Sequence, residues 1–138
     1  MKLPKLNSSK LVTVNISKYK IDWDTQRASK VQFAAKQFLK PFWVNHLCLE
    51  ECRIPGSLLR LDIVNLTKKI IIEVSPIQHE TFNKFFHVNR LGWLKQIKKD
   101  YAKVEWAEKA GFKLVELLKE DLDCLSVGLF KEKFNIDL

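Results

Sequence analysis

The fold is decided by RLDIVNLTKKIIIEVSPIQH, the stretch formed by residues 60–79. It predicts two short β-strands, residues 58–64 and 70–75, because apolar runs flank a polar bend that carries Lys68. Pro76 then ends the second strand, since proline has no backbone N–H to donate to a ladder. The stretch is therefore expected to form a β-hairpin.

Each strand of this hairpin carries one carboxylate, Asp62 in the first and Glu73 in the second. With the turn centred between Thr67 and Lys68, the two residues face each other across the ladder. Like charges placed in this way destabilise a sheet by up to roughly 1 kcal/mol, and a cation between them relieves the repulsion. Two carboxylates suit Mg²⁺, or Mn²⁺ in its place, because Mg²⁺ keeps several waters and takes few protein ligands. The alternative is that Asp62 or Glu73 points to solvent from a half-buried strand.

Length and composition predict one domain that buries a core without disulfides. The chain has 138 residues, of which 46% are hydrophobic and 29% are charged. No apolar run approaches the ~20 residues that span a bilayer, and the N-terminus has no signal-peptide core. We therefore expect a cytoplasmic protein with no membrane association. Cys48, Cys52 and Cys124 match no zinc or redox spacing and are expected to be reduced thiols.

The charge of the chain is unevenly distributed. Its formal value is +8, yet residues 1–115 carry 21 Lys and Arg against 10 Asp and Glu, whereas residues 116–138 carry 3 against 6. A basic body favours a polyanionic partner, most simply nucleic acid, although lysines also serve solubility alone. Residues 1–20 hold five lysines and no acid, and they are expected to form a basic arm, an edge strand or a disordered leader.

Helical and alternating periods surround the hairpin and predict the remaining elements. They are a helix over 25–40 that ends at Pro41, a strand over 47–54, a loop over 76–90, a helix over 91–110 capped by Gly111, a buried strand over 112–117, and a closing helix over 119–134 within a C-terminal region of 118–138. The strand after the second helix is placed to run parallel to an earlier one through a crossover. The expected fold is α/β, a four-stranded mixed sheet flanked by helices in the order αβββαβ.

Two features of the predicted helices bear on function. In the first helix, Gln32 borders the apolar stripe and Lys36 lies away from it. In the second helix, Asp100 falls inside an apolar stripe formed by Trp93, Leu94, Ile97, Tyr101, Val104 and Ala107. A buried charge needs a partner, so Asp100 is expected to meet a cation, a metal-bound water or a histidine, unless the helix is rotated from this estimate. The basic residues expected to hold phosphates are Lys84, Arg90, Lys95, Lys98, Lys99 and Lys103.

Asp62, ten intervening residues and then Glu73-Val74-Ser75, in a meander between two helices, resemble the PD-(D/E)xK restriction-endonuclease-like nuclease core. The segment EVSPIQH is similar, more narrowly, to the E-V-x-G-x-Q-H stretch of nucleases related to the very-short-patch mismatch repair endonuclease. That group includes phage-borne homing endonucleases with an E-D-x-H-D signature, and the later run KKDYAKVEWAEKAGFKLVEL resembles its closing helix and strand. The resemblance covers about residues 28–117. In order, the signature falls on Glu51 or Glu50, Asp62, the Ser75 position, His79 and Asp100.

The resemblance implies a metal-dependent DNA endonuclease of homing or repair type, acting on double-stranded DNA, in the host cytoplasm if phage-encoded. A homo-oligomer is left open. Asp62, Glu73 and the Val74 carbonyl would hold the metal ion, and His79 would deprotonate the attacking water, since an unperturbed imidazole titrates near pH 6.5. Asp100 would orient His79 or a metal-bound water, and Gln78 belongs to the same matched segment.

Two positions depart from the family pattern. Ser75 stands where the general pattern has a lysine that assists the nucleophile. In the repair-type branch a histidine a few residues further on has this role, and His79 occupies that position. Gln32 stands where relatives often have a glutamate. The first acid of the site is therefore expected to be Glu51 or Glu50. Two other functions stay open: a nucleic-acid-binding module that keeps the fold without activity, and a basic RNA-associated structural protein. Phe82, Phe85 and Phe86 form either a small core under the loop or a wedge against bases.

Overall fold

The computed structural model describes residues 1–75 and 90–138. Its elements, in chain order, are β1 (Lys2–Pro4), β2 (Leu11–Thr13), a 3₁₀ helix (Ile16–Tyr19), α1 (Lys30–Trp43), β3 (Cys48–Arg53), β4 (Arg60–Asn65), β5 (Ile70–Val74), α2 (Arg90–Ala110), β6 (Lys113–Leu117), α3 (Lys119–Leu122) and α4 (Val127–Phe134). The predicted order αβββαβ is confirmed for the elements from α1 to β6. The predicted loop lies outside the described residues, apart from Arg90, whose backbone begins α2.

The main sheet has the strand order β3-β4-β5-β6. β3 pairs with β4 and β4 with β5 in antiparallel fashion, whereas β6 runs parallel to β5. A parallel neighbour requires a long connection, and the chain between β5 and β6 includes the 21-residue helix α2. The expected four-stranded mixed sheet with a crossover is therefore confirmed.

The hairpin between β4 and β5 has the predicted register. Ile63 pairs with Ile72 and Asn65 with Ile70, which centres the turn between Thr67 and Lys68. The Lys68 N–H donates to Asn65 Oδ1 at 2.9 Å, a side-chain bond that favours a tight turn. One pair further from the turn, the same register places Asp62 opposite Glu73.

Two apolar cores lie against the main sheet. One contains Leu39 and Trp43 of α1, Ile63 and Ile72 of the hairpin, and Phe130 of α4. The other packs the opposite hairpin positions, including Val64 and Ile71, against Trp106 of α2. Neighbouring residues of a strand point to opposite faces of a sheet. Ile63 and Ile72 therefore pack in the first core, and the adjacent residues Val64 and Ile71 pack in the second.

The first helix differs from its predicted bounds. It begins at Lys30 because Ser29 caps it, with Ser29 Oγ accepting the Gln32 N–H at 3.1 Å. It also continues through Pro41 to Trp43, so the predicted end at the proline was wrong. Trp43 is fully buried, and its packing in the core anchors this last helical turn.

The second helix is rotated from the predicted orientation. Ile97, Tyr101 and Val104 are exposed, whereas Trp106 and Ala107 are buried, so the assignment of the first three to a buried stripe was wrong. Trp106 Nε1 donates to the Pro4 carbonyl at 2.8 Å, and this contact with β1 sets the face that α2 buries. The side chains of Trp93 and Leu94 lie outside the described part of the structure.

The chain ends also differ in detail from their predictions. Residues 2–13 form a two-stranded antiparallel hairpin, which agrees with the edge-strand alternative for the N-terminal segment. The predicted closing helix is two helices, because Ser126 caps a new one by accepting the Leu129 N–H at 3.0 Å. The three cysteines are free thiols, as predicted. None of the helices in the described ranges combines the length and the apolar character that a membrane-spanning helix needs.

Candidate functional site

Four acidic residues lie in one row across the main sheet, one on each strand. Glu73 of β5 pairs with Glu116 of β6 in the parallel register, and Asp62 of β4 lies opposite Glu73 when the hairpin register is continued by one pair. Glu51 falls between two register pairs of β3 and β4, next to Asp62. The row brings together predicted site residues and adds Glu116, which the sequence analysis did not single out.

Asp62 and Glu73 are each tied to the backbone of the opposite strand. The Val74 N–H donates to Asp62 Oδ2 at 2.8 Å, and the Asp62 N–H donates to Glu73 Oε2 at 3.4 Å. At this end of the hairpin, the two carboxylates thus accept backbone N–H groups in place of the backbone carbonyls of the ladder. Asp62 is half-buried and the Glu73 side chain is only 12% exposed. Neither points freely to solvent, so the alternative reading of this pair is wrong.

Glu73 is an unusual carboxyl group electrostatically. Burial raises its pKa to about 8, and the charge of Asp62 and a hydrogen bond with it act in the same direction, while Lys103 opposes them. Desolvation and a like charge both disfavour the ionised form of an acid. Near neutral pH the pair therefore holds a proton, and a cation placed between the two groups would displace it.

Lys103 of α2 reaches this pair from the neighbouring layer. Its Nζ lies 3.0 Å from Glu73 Oε1, and its side chain is 19% exposed. The sequence analysis expected Lys103 to hold phosphates, whereas here it forms an ion pair with Glu73. The approach falls outside hydrogen-bonding angles, so Glu73 Oε1 is a buried acceptor without a hydrogen bond from the described residues. The lysine therefore neutralises part of the charge of Glu73 and lowers its pKa against the effect of burial.

The structure distinguishes between the two candidate acids of β3. Glu50 is fully buried, and its Oε1 lies 2.9 Å from Lys36 Nζ. Lys36 also donates to the Thr25 carbonyl at 2.6 Å and is itself fully buried, which corrects its predicted position away from the apolar stripe. A buried ion pair must be well hydrogen-bonded to be tolerated. Glu50 is thus part of the core, where it pairs with Lys36.

Glu51 is the acid that stays accessible. Its φ is 54°, a left-handed conformation that costs a non-glycine residue roughly 1–3 kcal/mol and that clusters at functional sites. Gln32 Nε2 donates to Glu51 Oε1 at 3.1 Å and to Glu50 Oε2 at 3.1 Å, and Arg60 Nη1 lies 4.0 Å from Glu51 Oε2. Gln32 therefore holds the strained residue in place at the β3 end of the acidic row.

The β6 end of the row lies beside Asp100 of α2. Burial raises the pKa of Glu116, the charge of Asp100 raises it further, and Lys103 opposes both. Asp100 is half-buried, and it lies within electrostatic reach of Glu116. Lys95, Lys98 and Lys99 of the same helix are exposed, as a phosphate-holding role requires. The Ser75 N–H donates to the Leu117 carbonyl at 2.8 Å. This bond holds the residue that follows β5 beside the end of β6, just beyond the row.

Several predicted residues cannot be placed. His79, Gln78 and Lys84 lie outside the described residues, as do Phe82, Phe85 and Phe86 and the side chain of Arg90. Residues 1–75 and 90–138 contain no group of three or more His, Cys, Asp and Glu side chains arranged to hold a metal ion. Comparisons of the chain with protein-family models, with curated proteins and with solved structures find no match. Function must therefore be argued from the acidic row itself.

Proposed function

We propose that this chain is a metal-dependent endonuclease that hydrolyses phosphodiester bonds of double-stranded DNA, on a restriction-endonuclease-like core. The observation that carries the proposal is the Asp62–Glu73 pair. Two like charges are held opposite each other by backbone hydrogen bonds, in a half-buried position that raises the pKa of Glu73 to about 8. An arrangement that disfavours two negative charges without a cation is typical of a functional site.

The side chains at this position fit a hard divalent ion. Both carboxylates offer oxygen ligands, and Glu73 Oε1 is buried without a hydrogen bond from the described residues. Mg²⁺ commonly takes only one or two protein carboxylates and keeps its waters, so a cluster of three acids is not required. Asp62 and Glu73 would hold Mg²⁺ or Mn²⁺ together with the Val74 carbonyl. When bound, the ion supplies polarisation of the scissile phosphate and a bound water that ionises more easily.

The other residues of the row have distinct tasks in this proposal. Lys103 offsets part of the negative charge beside Glu73 and lies where an incoming phosphate passes the pair. Glu51, held by Gln32, would supply a further carboxylate at the β3 end of the row. His79 is the proposed general base, with a typical contribution of 10²–10⁴-fold. The exposed lysines of α2 hold backbone phosphates without reading sequence.

One observation favours a second candidate, a DNA-binding module of the same fold without activity. Lys103 Nζ already lies 3.0 Å from Glu73, so a lysine supplies part of the positive charge that a metal ion would bring. Ser75 also cannot assist a nucleophile as the lysine of the family pattern does. Under this candidate the chain binds DNA equally well with and without Mg²⁺ and leaves it intact.

Cleavage of supercoiled plasmid separates the two candidates. The wild type is incubated with Mg²⁺, with Mn²⁺ or with EDTA, beside Asp62→Asn and the matched control Asp123→Asn, which removes an exposed carboxylate of α3's C-cap. We expect nicked or linear DNA only with a metal ion, loss of cleavage in Asp62→Asn, and normal cleavage in the control. DNA binding of Asp62→Asn should be unchanged or tighter, because a negative charge near phosphate is removed. Equal cleavage by Asp62→Asn and wild type would overturn the assignment of the site.

A further inference from the structure

A concave site lies between the N-terminal segment and the turn that joins β3 to β4. Its volume is about 470 Å³, and residues 12–15, 18–19 and 53–58 line it. The turn keeps its shape because Gly56 adopts a φ of 78°, a conformation that glycine reaches without steric cost. The cavity is open to solvent and is built from two segments that are distant in the sequence.

The charged side chains that line this cavity are all basic. Lys18 and Arg53 contribute two positive charges, and no acidic residue belongs to the lining. Arg53 Nε donates to the Ser57 carbonyl at 2.6 Å, which fixes the side chain against the turn. Lys18 Nζ lies 5.1 Å from the centre of the Tyr19 ring, so an aromatic face stands next to the cation. Cations, an aromatic ring and small polar groups together favour an anionic ligand.

The cavity adjoins the proposed active site through the β3–β4 ladder. Arg53 pairs with Arg60 in that ladder, and Arg60 is two residues from Asp62 while Arg53 is two residues from Glu51. Two residues of a strand span about 7 Å. A polymer that crosses the acidic row can therefore reach the cavity with a neighbouring part of its backbone.

We propose that this cavity binds a backbone phosphate of the DNA strand that crosses the acidic row, through Lys18 and Arg53. The inference rests on the proposed function for its ligand, but binding at this position needs neither a metal ion nor cleavage. It assigns a DNA contact to the N-terminal segment and to the β3–β4 turn, in addition to the contacts proposed for the exposed lysines of α2. Phosphate contacts of this kind fix the register of a protein on DNA without specifying sequence.

The test is equilibrium binding of a labelled DNA duplex of about 20 base pairs in EDTA, followed by fluorescence anisotropy from about 50 to 200 mM salt. The variants are Lys18→Gln, Arg53→Gln and their combination. Lys119→Gln is the matched control, since it removes one lysine charge from α3, where Lys119 pairs with Asp123. Thermal unfolding of each variant establishes that it folds. Both target side chains are exposed, so their loss should leave the fold intact.

We expect each single variant to weaken duplex binding by roughly three- to tenfold, and to lower the slope of log affinity against log salt by about 1. The double variant should lose about 2 in slope, and Lys119→Gln should stay within about twofold of wild type. Equal binding by the double variant and the control overturns the proposal. So does tighter binding of a hairpin RNA of the same length with the same variant losses, which would assign the cavity to RNA.

A competition arm separates the polymer from a free nucleotide. A deoxynucleoside monophosphate at millimolar concentration should displace the duplex poorly, because a single phosphate makes one of many contacts. Efficient displacement by the monophosphate, with no effect of Lys18→Gln or Arg53→Gln on duplex binding, overturns the assignment to DNA. Because every measurement is made in EDTA, failure of this proposal is distinguishable from failure of the proposed cleavage.

Discussion

Replacing Asp62 by asparagine tests the carboxylate pair without any assumption about catalysis. Asparagine keeps a side-chain oxygen that can accept the Val74 N–H, which donates to Asp62 Oδ2 at 2.8 Å in the wild type. It removes the negative charge that faces Glu73. The substitution therefore changes the electrostatics of the pair while preserving the hydrogen bond that ends the hairpin ladder.

The size of the effect on stability follows from the pKa of Glu73. This pKa is raised from 4.5 to about 8, first by burial and second by the charge of Asp62. The folded state thus holds a proton that the unfolded state releases, so the folded protein loses stability as pH rises from about 4.5 to about 8 and the loss is complete above that range. One pKa unit corresponds to about 1.4 kcal/mol, which makes the loss on the order of 4 kcal/mol. In Asp62→Asn the effect of burial and the opposing effect of Lys103 remain, and we expect the loss to be smaller than in the wild type.

The assay is urea unfolding of the wild type, Asp62→Asn and the exposed control Asp123→Asn at about pH 5 and pH 9. The contributions of the three histidines and of the chain termini are common to all three proteins and cancel in the comparison. Asp62→Asn should be more stable than wild type at pH 9 and close to it at pH 5, whereas the control should follow wild type at both. If wild type and Asp62→Asn lose the same free energy of unfolding between pH 5 and pH 9, the two carboxylates do not interact as described.

Three further substitutions probe the rest of the site. His79→Ala should lower the plasmid cleavage rate by about 10²–10⁴-fold with little change in metal affinity, whereas His46→Ala should keep the wild-type rate, since His46 Nδ1 lies 3.0 Å from an asparagine side chain on β4. Lys36→Met should lower the free energy of unfolding in urea by about 3–5 kcal/mol, because Glu50 is left as an unpaired buried charge, and adding Glu50→Leu should restore most of that loss. Glu51→Gly should raise the unfolding free energy by about 1 kcal/mol, because glycine tolerates a φ of 54°, and should slow cleavage of the same plasmid substrate.

The part of the fold that the sequence predicts best is the part in which local pattern and tertiary packing agree. A short turn fixes the register of a hairpin, so the facing positions of Asp62 and Glu73 follow from where Lys68 stands. The buried strand β6 and the crossover follow from the helix that precedes it, because parallel pairing needs such a connection. The end of α1 does not follow, since Pro41 is tolerated where Trp43 packs into the core.

The parts that sequence reasoning misses depend on contacts between distant segments. Lys36 is buried because Glu50 meets it from β3, and a pattern of polar and apolar residues assigns any lysine to the surface. The buried face of α2 is set by Trp106 and its bond to Pro4, a pairing that no helical period contains. Glu116 joins the acidic row through the register of a parallel pair, which could have been found only by aligning the buried residues of β5 with those of β6.

The missing lysine at position 75 and the position of Lys103 bear on the same question, which is how much positive charge the acidic row contains. Lys103 brings one cation to Glu73 from α2, and it also offsets the charge near Glu116. The pKa of Glu73 nevertheless stays raised to about 8, first because the group is buried and second because Asp62 lies opposite it, so the pair keeps a proton near neutral pH. Lys103 lowers the repulsion between the two carboxylates without removing that proton. The ion pair is compatible with a metal site, because a divalent ion that displaced the proton would meet two ionised carboxylates beside a single ammonium group, which leaves one negative charge for the ion to neutralise.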